Sequence, residues 1–195
     1  MTRKFLMACF TIFIAAFLIQ PLFADAPLPA NTAKHTPQGK YISARETYER
    51  WAADTKKSLV IIDVRIPEEY VFVGHPEMAI NIPFKVWTGK YDPEKKMVAL
   101  DENPNFVSEI KKIAKPSDTI YLSCRSGDRS ALAAKALDKE GYKNVYSVID
   151  GFEGDLVSDP ESYFDGKRMR NGWKNSGAPW TYGLDPKLMP TIPLK

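Results

Sequence analysis

The sequence predicts an α/β domain built on a parallel sheet with helices on both faces. Two apolar segments, Leu59–Ile62 and Thr119–Ser123, have the length and composition of strands buried in such a sheet. Helical patterns alternate with strand patterns from Tyr41 to Ile149, and this alternation is typical of parallel sheets covered by helices. The chain of 195 residues, 44% of them hydrophobic, is long enough for one such domain with extensions.

Local signals set the predicted bounds of the helices. Ser43 followed by Glu46 is the pattern of a capping box and predicts a helix from Ser43 to about Ala53. Gly141 suits the C′ position that ends a helix beginning at about Arg129. The other predicted elements, in chain order, are a helical turn at Pro67–Tyr70, a strand at Ala79–Ile82, an irregular loop at residues 84–102, a third helix and a strand at Asn144–Ile149. This third helix is expected to be capped by Asn103-Pro104. Its apolar face consists of Phe106, Val107, Ile110 and Ile113.

The start of the chain has the layout of a secretory signal peptide. Two basic residues precede an uncharged apolar run, Phe5–Ile19, which is shorter than the roughly 20 residues that a spanning helix needs. A proline and small residues follow, which predicts cleavage after Ala24 or Ala26. We therefore expect residues 1–24 to be a signal peptide and the mature protein to be periplasmic or secreted. The alternative is an uncleaved anchor that tethers the same domain outside a membrane.

The charge of the exported chain is close to neutral. Loss of Arg3 and Lys4 leaves 25 of the 27 basic residues against 24 acidic residues, which gives a net charge of +1. Such a balance gives no reason to expect nucleic acid or an acidic membrane surface as a partner, so the only membrane expected is the one crossed during export.

Composition divides the mature chain into three parts. Residues 25–40 are rich in Pro, Ala, Thr and Asn without periodicity and are expected to form a flexible leader. Residues 41–155 carry the alternating elements and form the domain. Residues 156–195 are expected to be an irregular C-terminal extension that packs on the domain, because its large aromatic side chains would otherwise leave an unusual apolar patch in water.

The chain has two cysteines, and only Cys124 survives export because Cys9 lies in the signal segment. No internal disulfide is then possible. An unpaired thiol in an oxidising compartment indicates intermolecular pairing or chemistry, with a buried inert cysteine as the plain alternative.

The neighbours of Cys124 favour chemistry. The cysteine follows a predicted strand and precedes a predicted helix, so loop N–H groups and the helix dipole should place positive potential at the sulfur. Arg125 and Arg129 add charge, and together these groups favour the nucleophilic thiolate. Gly127 permits the positive φ of a curled loop. The hydroxyls of Ser126 and Ser130 are candidate donors to the sulfur or to an anion, and Ser130 is equally suited to cap the helix. Asp128 should face outward, because its carboxylate would oppose formation of the thiolate.

Neither general-base activation nor a metal centre is indicated. The mature chain has two histidines, His35 in the predicted leader and His75 in a Gly-His-Pro turn, and neither is near Cys124 in sequence. His75 is expected to be structural, with an approach to Cys124 in space as the alternative. Two histidines and one cysteine do not suffice for a plausible zinc site or iron–sulfur cluster, so we expect no cofactor and no metal.

Three motifs, in this order, resemble the rhodanese homology domain over roughly Tyr41 to Trp180. They are Ile62-Asp63-Val64-Arg65 with Glu68-Glu69-Tyr70, then Gly74-His75-Pro76 with Ala79-Ile80-Asn81-Ile82-Pro83, then Cys124-Arg125-Ser126-Gly127-Asp128-Arg129-Ser130. The resemblance implies a rhodanese-like fold in which Cys124 carries a sulfane sulfur as a persulfide, the loop from Arg125 to Ser130 holds it, and Arg129 closes the loop. It also implies supporting roles for Asp63 and Arg65, with a structural ion pair from Arg65 to Glu69.

The resemblance implies a substrate class as well as a fold. Members take sulfur from a donor such as thiosulfate and pass it to cyanide or a thiol. Related phosphatases and arsenate reductases use Cys-x5-Arg, whereas Cys124 and Arg129 are spaced as Cys-x4-Arg. This smaller ring suits a sulfur atom better than a tetrahedral phosphate. One departure is Gly151-Phe152, where many members have Gly-Gly, which leaves the packing there open.

We therefore predict a sulfurtransferase that moves sulfur from a small anionic donor to a thiol or cyanide acceptor. Two alternatives remain: a non-catalytic carrier of sulfur or selenium that delivers to an acceptor protein, and an interaction domain in which Cys124 forms an intermolecular disulfide. The prediction requires a thiol that solvent can reach. Trp87 and Tyr91 are candidates for a substrate wall, with ordinary packing as the alternative.

Overall fold

The computed structural model describes residues 25–191, so the predicted signal peptide at 1–24 lies outside the described residues. The strands are β1 Tyr41–Ile42, β2 Leu59–Asp63, β3 His75–Pro76, β4 Ile80–Asn81, β5 Lys85–Asp92, β6 Met97–Glu102, β7 Thr119–Ser123, β8 Asn144–Val148, β9 Asp155–Leu156, β10 Arg168–Arg170 and β11 Trp180–Thr181. The helices are α1 Ala44–Ala53, α2 Pro67–Val73, α3 Phe106–Ile113 and α4 Asp128–Lys139. Five strands form a parallel sheet in the order β1-β8-β7-β2-β4, which confirms the predicted α/β architecture.

Side chains of the central strands alternate between two buried clusters, one on each face of the sheet. Ile62 and Leu122 belong to the cluster that α3 and α4 cover, whereas Ile61 and Tyr121 belong to the cluster that α1 covers. Helices therefore lie on both faces, as the buried apolar strands predict. Asp63 and Ser123, the last residues of β2 and β7, are paired in register, so the segments that follow them lie side by side at one edge of the sheet.

The prediction of an irregular loop over residues 84–102 is wrong, because this segment is a two-stranded hairpin. β5 and β6 pair antiparallel, with a register shift between Trp87 and Tyr91. Most side chains of the hairpin are exposed, on both faces of the ribbon, so apolar residues do not recur at every second position. The register shift further interrupts the alternation of side chains between the two faces. The hairpin leaves the sheet just after β4, at the edge where Asp63 and Ser123 end.

Asn103 does not cap α3, although the sequence predicts that it does. The first helical residue is Phe106, and Asn105 occupies the N-cap position without a side-chain hydrogen bond. The Asn103 carboxamide instead accepts from Asn105 N at 3.0 Å and donates to the carbonyl of Pro83 at 2.8 Å. Asn103 thus ties the base of the hairpin to the end of β4.

Residues 25–40, predicted as a flexible leader, are docked on the domain. Lys34 Nζ donates to the carbonyl of Ile149 at 2.8 Å, and Gln38 Nε2 donates to the carbonyl of Tyr142 at 2.6 Å. A 3-10 turn at Thr32–Lys34 lies against α4. The composition of the segment lacks an apolar period, but its polar side chains satisfy carbonyl groups of the domain.

The carboxylate of Asp150 joins the start of α1 to the C-terminal extension. It accepts from the backbone N–H of Ala44 and from that of Gly172, each at 2.8 Å. Burial raises the pKa of Asp150 above its ordinary value, and the two N–H donors act in the opposite direction. The next residue after Gly172 is Trp173, which is fully buried and donates from its indole to the carbonyl of Pro179 at 2.9 Å.

The extension continues across the domain surface. β11 pairs antiparallel with β3, and the ring of Trp180 packs edge-on against the buried Phe152 at 6.0 Å between ring centres. Tyr182 is more than half exposed. Between residues 25 and 191, no helix has both the length and the apolar character needed to cross a membrane.

Replacing Trp173 by alanine should destabilise the whole domain. Its ring fills the cluster between α1 and the extension, so Trp173→Ala should lower the free energy of unfolding by about 3–5 kcal/mol in a denaturant titration. The matched control is Trp87→Ala in the hairpin, where the side chain is 48% exposed, and there the loss should stay below about 1 kcal/mol. Equal losses at the two positions would mean that the extension is not part of the core.

Candidate functional site

Cys124 lies in a tight loop between β7 and α4. The loop curls so that the backbone N–H of Gly127 donates to Cys124 Sγ at 3.1 Å. Gly127 is also the N-cap of α4, with φ at 104°, a value that only glycine adopts without strain. The sulfur therefore accepts a hydrogen bond at the N-terminal end of a twelve-residue helix, where the helix dipole favours negative charge.

The hydroxyl of Ser130 is used mainly to hold the shape of the loop. Ser130 Oγ donates to the carbonyl of Gly127 at 2.8 Å and lies 2.9 Å from Ser147 Oγ on β8. Its contact with Cys124 Sγ is long, at 3.9 Å. Ser126 is buried, and Asp128 is exposed on the first turn of α4, as the sequence predicts for a carboxylate that must avoid the sulfur.

The loop rests directly on the backbone of the segment from Ile149 to Phe152. A Cβ at Gly127 would collide with the carbonyl of Ile149, and a Cβ at Gly151 would lie 2.5 Å from the carbonyl oxygen of Cys124. Phe152 N donates to that same carbonyl at 2.7 Å. The Gly151-Phe152 pair, which the sequence leaves open, is thus a floor that fits against the loop, with Phe152 fully buried.

The predicted ion pair from Arg65 to Glu69 is wrong, because Glu69 pairs with Arg129. The two side chains meet in a bidentate arrangement, with distances of 2.5 and 2.7 Å between guanidinium nitrogens and carboxylate oxygens. Burial acts to raise the pKa of Glu69, but the hydrogen bonds and charge of Arg129 outweigh it, so this pKa lies below its ordinary value. Burial likewise acts to lower the pKa of Arg129, and Glu69 more than compensates.

Asp63 and Arg65 form their own pair, fully buried beneath the loop. Arg65 Nη2 lies 2.6 Å from Asp63 Oδ2 and also donates to the carbonyl of Gly74 at 2.7 Å. The guanidinium lies over the ring of Phe152, 4.3 Å from its centre. No hydrogen bond joins either residue to Cys124, so they stabilise the floor of the loop rather than contact the sulfur.

Cys124 is 1% exposed. The prediction of a thiol open to solvent is therefore not met in this structure. A groove of about 650 Å³ lies next to the loop, between the hairpin and the start of α4. Its lining includes Asp128, Arg129 and Leu132 but not Cys124, so the groove reaches the outer side of the loop and stops short of the sulfur.

Arg125 is the arginine of the loop that remains available. It is half-buried, and within residues 25–191 its side chain makes no ion pair and no hydrogen bond. Neither ring nitrogen of His75 contacts the thiol, since the ring stacks on Tyr70 and its two nitrogens face the carbonyls of Pro76 and Gly183. Among the described residues, no group of three or more His, Cys, Asp or Glu side chains is arranged to hold a metal ion.

The sequence resemblance names Glu69 but gives it the wrong partner, Arg65 in place of Arg129. The sequence misses two further contributors to this site. Ser147 reads as an ordinary inward residue of a buried strand, although it holds Ser130. The carbonyl of Ile149, a backbone group, packs against the Cys124 loop. This contact depends on Gly127 and Gly151, which allow the two backbone segments to approach closely.

Comparison with known proteins identifies the domain. The family described as Rhodanese, rhodanese-like domain, matches residues 44–155. Uncharacterized protein RP600 of Rickettsia prowazekii (strain Madrid E) is 32% identical over 126 residues, covering 63% of this chain and 82% of RP600. Thiosulfate sulfurtransferase 16, chloroplastic, of Arabidopsis thaliana is 31% identical over 91 residues, covering 47% of this chain and 68% of that protein.

A solved structure has a similar fold. The crystal structure of Rv0390 from M. tuberculosis superposes with a TM-score of 0.56 at 28% identity, covering 73% of this chain and 96% of the other. Together with the sulfurtransferase relative, the matches support a role in sulfur transfer. Because the family match spans more than half of the chain and includes the whole Cys124 loop, the chain belongs to the rhodanese-like domain family.

Proposed function

We propose that the protein is a sulfurtransferase that carries a sulfane sulfur on Cys124 between an anionic donor, such as thiosulfate, and a thiol or cyanide acceptor. The hydrogen bond from Gly127 N to Cys124 Sγ carries this proposal. A backbone N–H that points at the sulfur from the N-terminus of α4 stabilises negative charge on the sulfur, both in the thiolate and in the persulfide. No cofactor is needed, because each half-reaction breaks one S–S bond and forms one new S–S or C–S bond.

The transfer takes place in two steps. The Cys124 thiolate attacks the outer sulfur of thiosulfate, the S–S bond of the donor breaks, and sulfite leaves with the electron pair. An acceptor nucleophile then attacks the outer sulfur of the persulfide, and the Cys124 thiolate is released. Arg125, which has no ionic partner among the described residues, is the group suited to bind the anionic end of the donor.

Access to the sulfur is part of the proposal. Since Cys124 is 1% exposed, a donor must reach it through a local opening of the loop or of the elements around it. The neighbouring groove, between the hairpin and α4, is the natural side for entry. Burial then protects the loaded persulfide from water and from other thiols between the two steps.

The same burial favours a second candidate function, that of a sulfur carrier for an acceptor protein. A covered persulfide reacts slowly with free acceptors and is released when a partner opens the loop. The two functions differ in turnover. An enzyme cycles repeatedly with cyanide or a small thiol, whereas a carrier is loaded once and keeps its sulfur in their presence.

Substitution of Cys124 should abolish the first step. After treatment with thiosulfate, intact-mass and peptide spectra of the wild-type protein should show one added sulfur on the Cys124 peptide, and Cys124→Ser should show none. Steady formation of thiocyanate by the wild type supports the enzyme over the carrier. Retention of thiocyanate formation by the serine variant would refute the persulfide mechanism.

The loop geometry can be tested through its glycine. Gly127→Ala places a Cβ against the carbonyl of Ile149 and should displace the N–H that faces the sulfur, with a loss of about 100-fold in kcat/KM. Gly141→Ala is the matched control, because Gly141 also has a positive φ of 86° but no atom within 4 Å of its Cβ position. The control should lose only stability, on the order of 1 kcal/mol. Equal kcat/KM values for the two variants would exclude the Gly127 N–H from catalysis.

We also propose that the mature protein is exported, with residues 1–24 or 1–26 removed. Support comes from the basic, apolar and small-residue pattern at the start of the chain. N-terminal sequencing of the protein from a periplasmic or secreted fraction should begin at Asp25 or Pro27. A chain that keeps Met1 in the membrane fraction would instead indicate the anchored form.

A further inference from the structure

The charges around the Cys124 loop are almost fully paired. Arg129 is bound to Glu69, Arg65 is bound to Asp63, and Lys34 beneath the loop lies 3.9 Å from a carboxylate oxygen of Asp155. Within residues 25–191, Arg125 is therefore the loop guanidinium without a carboxylate partner. The carboxylate of Asp128, the first residue of α4, is exposed and adds a negative charge next to the loop.

The groove beside the loop is also lined by positive and negative charges in similar number. Apart from Arg129, its charged lining residues are two lysines and three aspartates, namely Lys85, Lys95, Asp92, Asp101 and Asp128. Lys95 is itself paired with Asp92 at 2.8 Å. A ligand that enters along this surface meets little net positive charge, which is an unfavourable setting for a small dianion.

Glu69 is the residue that removes the most positive charge from the site. It reaches across from the first turn of α2, and its contact with Arg129 leaves both side chains less than one fifth exposed. A carboxylate in bidentate contact cancels most of the field that the guanidinium would exert on an incoming anion, and at such low exposure solvent screens the pair only partly.

We infer that Glu69 sets the donor preference of the site by neutralising Arg129, so that the protein accepts sulfur from hydropersulfides of low charge in preference to thiosulfate. The inference rests on the proposed persulfide function of Cys124. Glu69 acts through Arg129 and contacts no substrate, so it is a positioning residue whose effect is on selectivity.

The corresponding step balances without any further reactant. The Cys124 thiolate attacks the outer sulfur of R–S–S–H, the S–S bond of the donor breaks, and the electron pair leaves with R–S⁻. The transferred sulfur keeps its proton as Cys124–S–S–H. The leaving group carries one negative charge, whereas the sulfite released from thiosulfate carries two.

The test compares two donors on wild type and on Glu69→Gln. Thiosulfate is the dianionic probe, and 2-hydroxyethyl hydropersulfide is the low-charge probe. Glutamine keeps one oxygen that can accept from Ile66 N, as Glu69 does at 3.3 Å, but it cannot neutralise Arg129. The ratio of kcat/KM for thiosulfate to kcat/KM for the hydropersulfide should rise about tenfold in the variant, the size expected for one nearby, partly buried charge. Added salt should reduce the rise.

Two further variants keep the test decisive. Glu68→Gln removes the same charge one residue away, from a side chain that makes no ion pair among the described residues, and should leave the donor ratio unchanged. Arg125→Gln removes the loop guanidinium that has no carboxylate partner among the described residues and should lower the ratio about tenfold, which tests the charge argument even if Glu69→Gln folds poorly.

The outcomes separate this inference from the proposed function. An equal fall of kcat/KM for both donors in Glu69→Gln, with an unchanged ratio, would show that Glu69 is only structural and would overturn the inference. A wild-type preference for thiosulfate would overturn it as well. If neither donor adds a sulfur to wild-type Cys124, the proposed function itself fails.

Discussion

The close contact between the Cys124 loop and the backbone of residues 149–152 is the constraint on which the site depends. Gly127 and Gly151 bring two backbone segments together at a distance that excludes a Cβ on either side, and Phe152 N binds the carbonyl of Cys124 at 2.7 Å. This contact fixes the curl of the loop, and the curl aims the Gly127 N–H at the sulfur. The strand order brings the two segments together, since β7 and β8 are neighbours and end at the same edge of the sheet.

Ion pairs support this contact from below and from the side. The buried pair of Asp63 and Arg65 lies against Phe152, and the pair of Glu69 and Arg129 joins the first turns of α2 and α4. A buried arginine without its carboxylate would be strongly unfavourable, so each pair holds the two segments that contribute its members. The electrostatic character of the site thus follows from structural pairing, and Cys124 is surrounded by charge that is largely compensated.

The order of elements could be predicted from the sequence because each strand and helix carries a local signal. Leu59–Asp63 and Thr119–Ser123 are apolar runs, and Ser43 accepts from Glu46 N at the start of α1 as the capping pattern predicts. The hairpin could not be predicted, since a ribbon exposed on both faces has no apolar period. The partner of Arg129 lies 60 residues away along the chain, and the loop of the buried Cys124 packs against residues 149–152, so no local pattern encodes either feature.

Asp150 gives the C-terminal extension a role beyond coverage of the surface. One carboxylate oxygen accepts from the start of α1 and the other accepts from Gly172, two residues before Lys174 and directly ahead of Trp173. A chain shortened to end before Gly172 would leave one oxygen of the buried Asp150 carboxylate without its hydrogen-bond donor. It would also expose the buried cluster that α1 covers. The stretch around Gly172 is therefore inseparable from the unit that folds, since it supplies a donor to Asp150 and the buried ring of Trp173.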